Sequence, residues 1–495
     1  MRNQGVGSWT ARRARMSPNR TAVAHDGREW TYGRLHERAT RVAHALHGLG
    51  VRHGDRVAYL GPNHPTFLEV LFGTGQLGAA FVPLSWRLAA PELAYILRDC
   101  GARVLVFPPS HASIVEGLEG PRRVRLGDKY EELLGAAAAE PLDEPVAPDE
   151  TCMIMYTSGT TGRPKGAALT HANIVWNSFN LLIDVDVSGD EVTLVAAPMF
   201  HVAALNQTVL PTLLKGGTCV LMSAYDPQAA LTLIARHRVT YLFGVPTMFL
   251  TMAQSPAWAG ADLSSVRSAI CGGAPVPEAL IGIYQQRGIT FMQGYGLTEA
   301  APGVLFLRKD ESVHKAGSAG TPAFFTDVRV VRGDGGQVEP GEPGEILTQG
   351  PNVMAGYWQR PDETAAVLDT GGWLRTGDVG VLDEEGYVYI RDRIKDLIIS
   401  GGESIYPAEV EDALYQHPAV AECAVIGVPD ERWGEVGRAV VVLRAGTAVE
   451  PGELLGFLSG RIAGYKIPKS VVFADALPRT ASGKVLKSQL RTLYT

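Results

Sequence analysis

The segment from Tyr156 to Gly166 has the composition of a phosphate-binding loop. It reads Tyr-Thr-Ser-Gly-Thr-Thr-Gly-Arg-Pro-Lys-Gly and follows an apolar run, 152–156, that predicts a strand. Glycines let backbone N–H groups approach phosphate oxygens, hydroxyl side chains add donors, and Lys165 adds a positive charge. A Walker A loop would place the lysine directly after the second glycine, so this segment predicts an anion site of another kind. Its candidate ligands are Thr157, Ser158, Gly159, Thr160, Thr161, Gly162 and Lys165.

Four further motifs combine glycines with charged or hydroxyl residues. They are Gly294-Tyr-Gly-Leu-Thr-Glu299, Trp373-Leu-Arg-Thr-Gly-Asp378, Arg391-Asp-Arg-Ile-Lys-Asp-Leu-Ile-Ile-Ser-Gly-Gly-Glu403 and Pro478-Arg-Thr-Ala-Ser-Gly-Lys484. The Glu299 carboxylate is a hard oxygen ligand suited to a Mg²⁺ ion that bridges phosphates, and Thr298 beside it can donate to a phosphate. Alone, such a glutamate would more often be solvated, so the ordered set of motifs carries the interpretation.

These five motifs, in this order along nearly the whole chain, resemble those of the adenylate-forming superfamily. That superfamily contains acyl-CoA synthetases, peptide-synthetase adenylation domains and luciferases. With Pro198-Met-Phe-His-Val-Ala-Ala204 included, the chain is most similar to bacterial fatty-acyl-CoA synthetases. The resemblance implies an enzyme that uses ATP and Mg²⁺ to convert an acid to an acyl-adenylate and then transfers the acyl group to CoA.

The resemblance also implies a role for individual residues. Lys484, Glu299, Thr298 and Lys165 would be catalytic, because two anions must meet in an anionic transition state. Glu299 and Thr157 would hold the metal, Lys395 would be the hinge of a mobile C-terminal domain, and Gly401 and Gly402 would border the CoA tunnel. The remaining nucleotide contacts would be Gly273, Ala274, Gly294, Tyr295 against the adenine, Gly296, Asp378 on the ribose, position 390 (Ile390) and Arg393, beside the loop residues above.

The carboxylate pocket is expected around His201 and the small residues after Cys271. Its candidate walls are His201, Val202, Ala203, Gly272, Gly296, Leu297 and Pro302. The region lacks the arginine that a dicarboxylate would need and the aspartate that an amino acid would need. Apolar linings suit CH₂ groups, so we predict a medium- to long-chain fatty acid. The alternatives are an aryl-acid CoA ligase, and an adenylating enzyme that passes an acyl group or another oxyanion such as nitrite to a non-CoA acceptor.

The elements needed to position these residues follow from the hydrophobic pattern. Apolar runs alternate with helical periodicity up to about residue 330, which predicts parallel sheet built from βαβ units. Glycine-rich turns then indicate a β-rich subdomain, and a compact α+β stretch follows. We therefore predict an α/β fold with a large N-terminal body over residues 1–392 and a small mobile domain over residues 393–495.

Composition limits the environment and the partners. The 495 residues are 46% hydrophobic and 20% charged, with a formal net charge of −7, so no overall basic field attracts nucleic acid. Five scattered cysteines and an N-terminus without an apolar core predict a cytoplasmic protein. The expected partners are the acid, ATP and CoA; membrane contact is at most peripheral, and the chain is a monomer or homodimer.

Overall fold

The computed structural model describes residues 2–142, 144–157, 163–274, 276–401, 403–480 and 484–495. Within them the chain forms four sheets, three in the N-terminal part and one at the C-terminus. The first sheet has nine strands, parallel at its centre with antiparallel strands at both ends. In spatial order these are Thr321–Pro322, Gly303–Phe306, Thr290–Gly296, Ser268–Gly272, Tyr241–Gly244, Val192–Val195, Thr218–Leu221, Thr21–His25 and Arg28–Thr31.

A second sheet of seven strands carries the loop that contains Lys165. In spatial order its strands are Gly356–Tyr357, Lys165–Thr170, Thr151–Thr157, Ala80–Leu84, Arg56–Leu60, Val104–Phe107 and Arg122–Arg125. The strands Thr151–Thr157 and Lys165–Thr170 pair antiparallel, with Thr157 opposite Lys165. Thr157 and Lys165, which flank the candidate phosphate loop, therefore lie side by side.

Helices cover the faces of these sheets. They are Trp9–Met16, Tyr32–Gly48, Pro65–Gln76, Ala90–Cys100, Ala112–Glu116, Asp128–Ala136, His171–Asp184, Val202–Ala204, Leu210–Lys215, Pro227–His237, Pro246–Ala253, Glu278–Gln285 and Pro361–Ala365. Pro65–Gln76 is buried at every residue, as expected for a helix that is apolar on all sides. The largest core cluster surrounds it and joins residues of both sheets. In the described residues no helix is both long and apolar enough to span a bilayer.

The third sheet is antiparallel and leads into the C-terminal part. Its strands are Asp327–Val331, Pro343–Gln349, Leu374–Leu382 and Val388–Arg393. A short 3₁₀ turn, Ile394–Asp396, follows, and Ile398–Ser400 already belongs to the last sheet. The chain thus passes from one sheet to the next within a few residues on either side of Lys395.

The C-terminal sheet has its own core. Ile398–Ser400 pairs with Glu403–Ile405, and the long hairpin of Val420–Asp430 and Gly434–Leu443 is joined by Ser470–Phe473. Three helices pack on this sheet: Pro407–Tyr415, Pro451–Leu458 and Lys487–Tyr494. The mixed α/β fold expected from the sequence, a large N-terminal body with a small α+β domain, is confirmed.

Candidate active site

Lys165 begins its strand beside the candidate phosphate loop, and its charge is paired. Its Nζ lies 2.5 Å from Glu363 Oε2 and 5.3 Å from the centroid of the Tyr357 ring. Hydrogen bonds from Lys165 and from Arg360 hold the pKa of Glu363 below its usual range. An incoming phosphate would therefore compete with Glu363 for this lysine. The predicted contacts Ser158, Gly159, Thr160, Thr161 and Gly162 lie outside the described residues.

Glu299 is linked to Lys165 through Tyr357, which contacts both residues. The glutamate lies in the 3₁₀ turn Thr298–Ala300, whose backbone is fixed when Met354 N–H donates to Glu299 O at 2.8 Å. Tyr357 Oη donates to Glu299 Oε1 at 2.9 Å, and burial, reinforced by the Glu299 charge, raises the tyrosine pKa. One carboxylate oxygen is thus oriented by a tyrosine that the sequence reasoning did not identify.

Asp378 and Arg393 form a second polar group. The two residues are opposite each other in neighbouring antiparallel strands, and Arg393 Nε lies 3.0 Å from Asp378 Oδ1. Tyr295 Oη donates to Asp378 Oδ2 at 2.6 Å. Burial raises the pKa of Tyr295 well above its usual range, and Asp378 raises it further. For Arg393, burial lowers the pKa, but Asp378 and Tyr295 outweigh it and the net direction is upward. Tyr295 therefore stays neutral and Arg393 stays charged at neutral pH.

The structure brings Lys484 into this cleft from the C-terminal domain. A methyl group on Gly273 would lie 3.8 Å from Lys484 Cε. The loop that carries the lysine is closed by Thr480, whose Oγ1 accepts from Lys484 N–H at 3.1 Å. The surrounding protein lowers the lysine pKa by desolvation, the Arg393 charge lowers it further, and Asp378 and Glu299 oppose this. The charges of both carboxylates therefore act on the lysine.

The predicted acid-pocket residues are of two kinds. Some are glycines whose backbone packs closely against another backbone segment, and others have side chains that would form the pocket wall. A methyl group on Gly272 would lie 2.5 Å from Gly294 O, and one on Gly296 would lie 1.7 Å from Pro302 O, so neither position has room for a side chain. Leu297 N–H donates to the same Pro302 carbonyl at 3.2 Å. Because these glycines have no side chain, the backbones of two strands and a turn can pack directly against one another.

His201 is the polar member of the pocket wall. It precedes the short helix Val202–Ala204 and stacks against Phe200, with ring centroids 4.4 Å apart. Burial, together with the charges of Lys484 and Arg87, lowers the pKa of His201 to about 3. Its buried Nε2 has no hydrogen-bond partner in the described ranges. A neutral imidazole with one ring nitrogen unpaired is therefore available to a ligand.

Two other predicted positions, Ile390 and Gly401, contribute less to the cleft. Ile390 packs against the apolar cluster that contains Val304 and offers no polar group to a nucleotide. Gly401 has a left-handed backbone, φ +60°, and a methyl group there would lie 2.6 Å from the Trp433 ring. Gly402, its predicted neighbour at the CoA tunnel, lies outside the described residues.

Comparison with known proteins agrees with this arrangement. Residues 10–358 match the family model described as AMP-binding enzyme, and residues 409–484 match its C-terminal domain. The chain therefore belongs to the AMP-binding enzymes of the adenylate-forming superfamily. It is an ATP-dependent acid–CoA ligase.

Individual relatives differ in their acids. A feruloyl-CoA synthase of Amycolatopsis sp is 57% identical over the full length of both chains. A long-chain-fatty-acid–CoA ligase of Mycobacterium tuberculosis is 40% identical over 99% of this chain and 99% of that protein. Among solved structures, the o-succinylbenzoate CoA synthetase of Bacillus subtilis with its acyl-adenylate intermediate has a TM-score of 0.89 at 35% identity, covering 98% of both chains.

Proposed function

We propose that the chain joins an aryl acid of the hydroxycinnamate type to CoA with the consumption of ATP. The observation that carries this is the 57% identity to a feruloyl-CoA synthase along the whole chain, against 40% to a long-chain-fatty-acid–CoA ligase. The first sheet supports it, because Phe243, Ile270, Met292 and Phe306, which lie on four of its neighbouring strands, belong to one apolar cluster. Apolar and aromatic walls suit a ring at least as well as an alkyl chain.

The fatty acid expected from the sequence is the second candidate. Small and apolar pocket residues agree with it, and the 40% identity to the long-chain ligase favours it specifically. Apolar lining alone does not separate the two acids, since both are recognised mainly through buried carbon surface. The non-CoA acceptor considered above would be revealed by a product that forms equally well without CoA.

In the proposed first half-reaction the acid oxygen attacks the α-phosphorus of ATP and pyrophosphate leaves. Lys484 lies where it can balance the charge of both anions, and His201, being neutral, can donate from Nε2 to the acid carboxylate. Lys165 exchanges Glu363 for a phosphate oxygen. Asp378 accepts from the ribose hydroxyls while Tyr295 and Arg393 hold its carboxylate in place. Pre-oriented groups of this kind stabilise the developing charge without reorganisation.

A magnesium ion suits the donor set near the phosphates. Glu299 offers one carboxylate oxygen beyond the one that Tyr357 occupies, and Thr157 ends its strand beside the loop. The described residues contain no group of three or more His, Cys, Asp or Glu side chains that could hold a metal. Mg²⁺ needs no such group, because it keeps waters and substrate phosphates as ligands. When bound it would neutralise phosphate charge, with Glu299 and Thr157 as its protein ligands.

In the proposed second half-reaction the CoA thiol displaces AMP from the acyl-adenylate. The C-terminal domain would swing about Lys395, withdraw Lys484 and bring Gly401 to the pantetheine path. Alternation suits two steps that need different groups in one pocket. The acid, ATP and CoA are small metabolites, so we expect the enzyme to work in the cytoplasm without a macromolecular partner.

A pyrophosphate-release assay across an acid panel tests the proposal. Ferulate, 4-coumarate, cinnamate and benzoate are compared with octanoate, dodecanoate and octadecanoate, each with and without CoA. We expect the highest kcat/KM with a hydroxycinnamate, together with CoA-dependent thioester formation. Pyrophosphate release restricted to the alkanoates would reject the aryl acid in favour of the fatty acid.

A further inference from the structure

Glu363, the carboxylate that pairs with Lys165, is shared between two cations. Its Oε2 lies 2.5 Å from Lys165 Nζ, and its Oε1 accepts from Arg360 Nη1 at 2.8 Å. Both contacts hold the glutamate pKa below its usual range, so Glu363 is negatively charged at neutral pH. The side chains of Lys165, Arg360 and Glu363 are 14, 26 and 32% exposed, so solvent screens the two pairs only in part.

Arg360 is itself fixed by the helix Ala90–Cys100. Its Nη2 donates to Tyr95 Oη at 2.6 Å and to Asp99 Oδ1 at 2.9 Å. The side chain of Asp99 is 17% exposed, so this ion pair is largely shielded from water. The guanidinium therefore uses one terminal nitrogen to bind the helix and the other to bind Glu363, and its position does not depend on the lysine.

The same helix contacts the chain on both sides of the candidate phosphate loop. Before the loop, Tyr156 Oη donates to Asp99 Oδ2 at 2.6 Å. After it, Pro164 O accepts from Tyr95 Oη at 3.3 Å, and this proline directly precedes the lysine. Arg360 is therefore bound to the same two side chains that hold these flanking residues.

The charge of Glu363 opposes ATP binding once Lys165 contacts a phosphate. The lysine would leave the carboxylate for a phosphate oxygen, and the carboxylate would then lie close to the triphosphate. Two anions at short distance in a partly buried site repel each other unless a cation neutralises one of them. Arg360 is always charged, and because the helix fixes it, it can keep its contact with Glu363 after Lys165 has left.

We propose that Arg360 is a positioning residue that neutralises and retains Glu363, so that Lys165 is released to the triphosphate of ATP. In the free enzyme Glu363 occupies the lysine, and in the ATP complex Arg360 holds the glutamate. The inference rests on the proposed contact of Lys165 with ATP and does not depend on which acid is activated. The two side chains then have opposite effects: Glu363 weakens ATP binding, and Arg360 strengthens it.

Calorimetric titration with ATP, in the presence of Mg²⁺ and without any acid, measures both effects. Glu363→Gln removes the competing charge at nearly constant size, and we expect the dissociation constant of ATP to fall about threefold. Arg360→Gln leaves Glu363 charged without its second cation, and we expect the constant to rise about fivefold. Changes of this size are typical of partly exposed ion pairs.

The double variant Arg360→Gln/Glu363→Gln separates this role from a direct contact of the arginine with ATP. If Arg360 acts through Glu363, it has nothing to neutralise once that charge is gone, so the double variant should bind ATP as tightly as Glu363→Gln does. A fivefold loss that persists in the double variant would show that Arg360 acts without Glu363, and would overturn the proposal.

Glu409→Gln is the matched control, because it removes a Lys–Glu pair of similar exposure from the C-terminal domain. Lys466 Nζ lies 2.7 Å from Glu409 Oε1, and the two side chains are 19 and 35% exposed. We expect ATP binding to be unchanged in this variant. A merely structural role of the network would weaken ATP binding in Glu363→Gln as well. If Arg360→Gln does not fold, unchanged or weaker binding in Glu363→Gln would still overturn the proposal.

Lys165→Met distinguishes this inference from the proposed function. Unchanged ATP affinity in Lys165→Met would overturn the contact of the lysine with phosphate, and this inference with it. Weaker binding in Lys165→Met, together with wild-type affinity in both Glu363→Gln and Arg360→Gln, would overturn the role of Arg360 alone. A preference for alkanoates in the acid panel would reject the aryl acid and leave these ATP titrations unaffected.

Discussion

In the proposed mechanism, Lys484 is the residue on which the division of labour between the two half-reactions depends. It comes from the C-terminal domain and lies against Gly273 of the N-terminal body, and the charges of Arg393, Asp378 and Glu299 all affect its pKa. Its positive charge is needed when the acid anion meets the α-phosphate, but not when a neutral thioester replaces a mixed anhydride. The side chain should therefore matter to one step and be dispensable in the other.

Lys484→Ala should lower acid-dependent pyrophosphate release by orders of magnitude and leave thioester formation from supplied acyl-adenylate nearly unchanged. Rapid-quench assays of each half-reaction measure this separately. Lys469→Ala, which removes an exposed lysine of the same domain, is the matched control and should affect neither step. Equal losses in both halves for Lys484→Ala would show that the lysine acts structurally.

The pH dependence of adenylation should reflect the depressed pKa of Lys484. Desolvation and the Arg393 charge lower that pKa in the free enzyme, so the charged form is present at low pH and is lost as pH rises. The alkaline limb of kcat/KM for adenylation should then lie below the ordinary lysine value of about 10.4. Lys484→Arg, which stays charged, should move the limb to higher pH. An unmoved limb would assign it to another group.

His201 should not contribute to this profile at neutral pH. Its pKa is lowered to about 3 by burial, with Lys484 and Arg87 adding to the effect. The imidazole is therefore neutral at neutral pH, so in the proposed mechanism it donates a hydrogen bond from one ring nitrogen and transfers no proton.

At the scale of elements, the proposed mechanism requires a hinge at Lys395. Lys395 lies in the 3₁₀ turn Ile394–Asp396, the link between the last strand of one sheet and the first strand of the next. The contact of Asp396 with Arg491, 2.9 Å between Oδ1 and Nη2, joins the turn to the C-terminal helix. A rotation here would move the C-terminal sheet and its three helices together.

Lys395→Pro restricts the backbone at this turn and should impair CoA transfer more than adenylation. Proline fixes φ near −65° and also restricts the preceding residue, so rotation of the backbone at this turn is hindered. Single-turnover measurement of both halves gives the partition. Lys395→Ala, which keeps the backbone free, is the control; an unchanged partition in the proline variant would contradict the hinge.

Functional residues that stand in a recognisable sequence motif could be predicted from the sequence. Residues that contact them only through the tertiary fold could not. Lys165, Glu299 and Asp378 stand out because their neighbours are glycines and hydroxyl residues. Tyr357 has no such neighbours in the sequence. It contacts Glu299 because the two-residue strand Gly356–Tyr357 pairs with the strand that begins at Lys165. The pairing of Lys165 with Glu363 has the same long-range origin.

The fold was predictable at the level of class and less so at the level of boundaries. Alternating apolar runs and helical periodicity predicted parallel sheet, and the short glycine-rich strands after residue 330 are indeed the antiparallel sheet. The π-helical turn at Leu205–Val209 had no local signal: its residues would continue an ordinary helix, and packing decides the extra residue per turn.

At the scale of the whole molecule, the positive charge of the binding site must attract anions although the net charge of the chain is negative. The chain has a formal net charge of −7, yet ATP, the acid and CoA are all anions. Long-range steering therefore gives no help, and in the proposed mechanism binding depends on local cations: Lys165 from the second sheet, Arg393 from the third and Lys484 from the C-terminal domain. We expect this set to act together only while Lys484 stays against the N-terminal body.

Isotope transfer tests the central claim, attack of the acid oxygen on the α-phosphorus, most directly. Ferulate labelled with ¹⁸O in its carboxylate is converted in the presence of ATP and CoA, and the AMP is analysed by mass spectrometry. If an acyl-adenylate forms and the thiol then displaces AMP, one labelled oxygen appears in each AMP. AMP that carries no label, formed together with the thioester, would contradict the account.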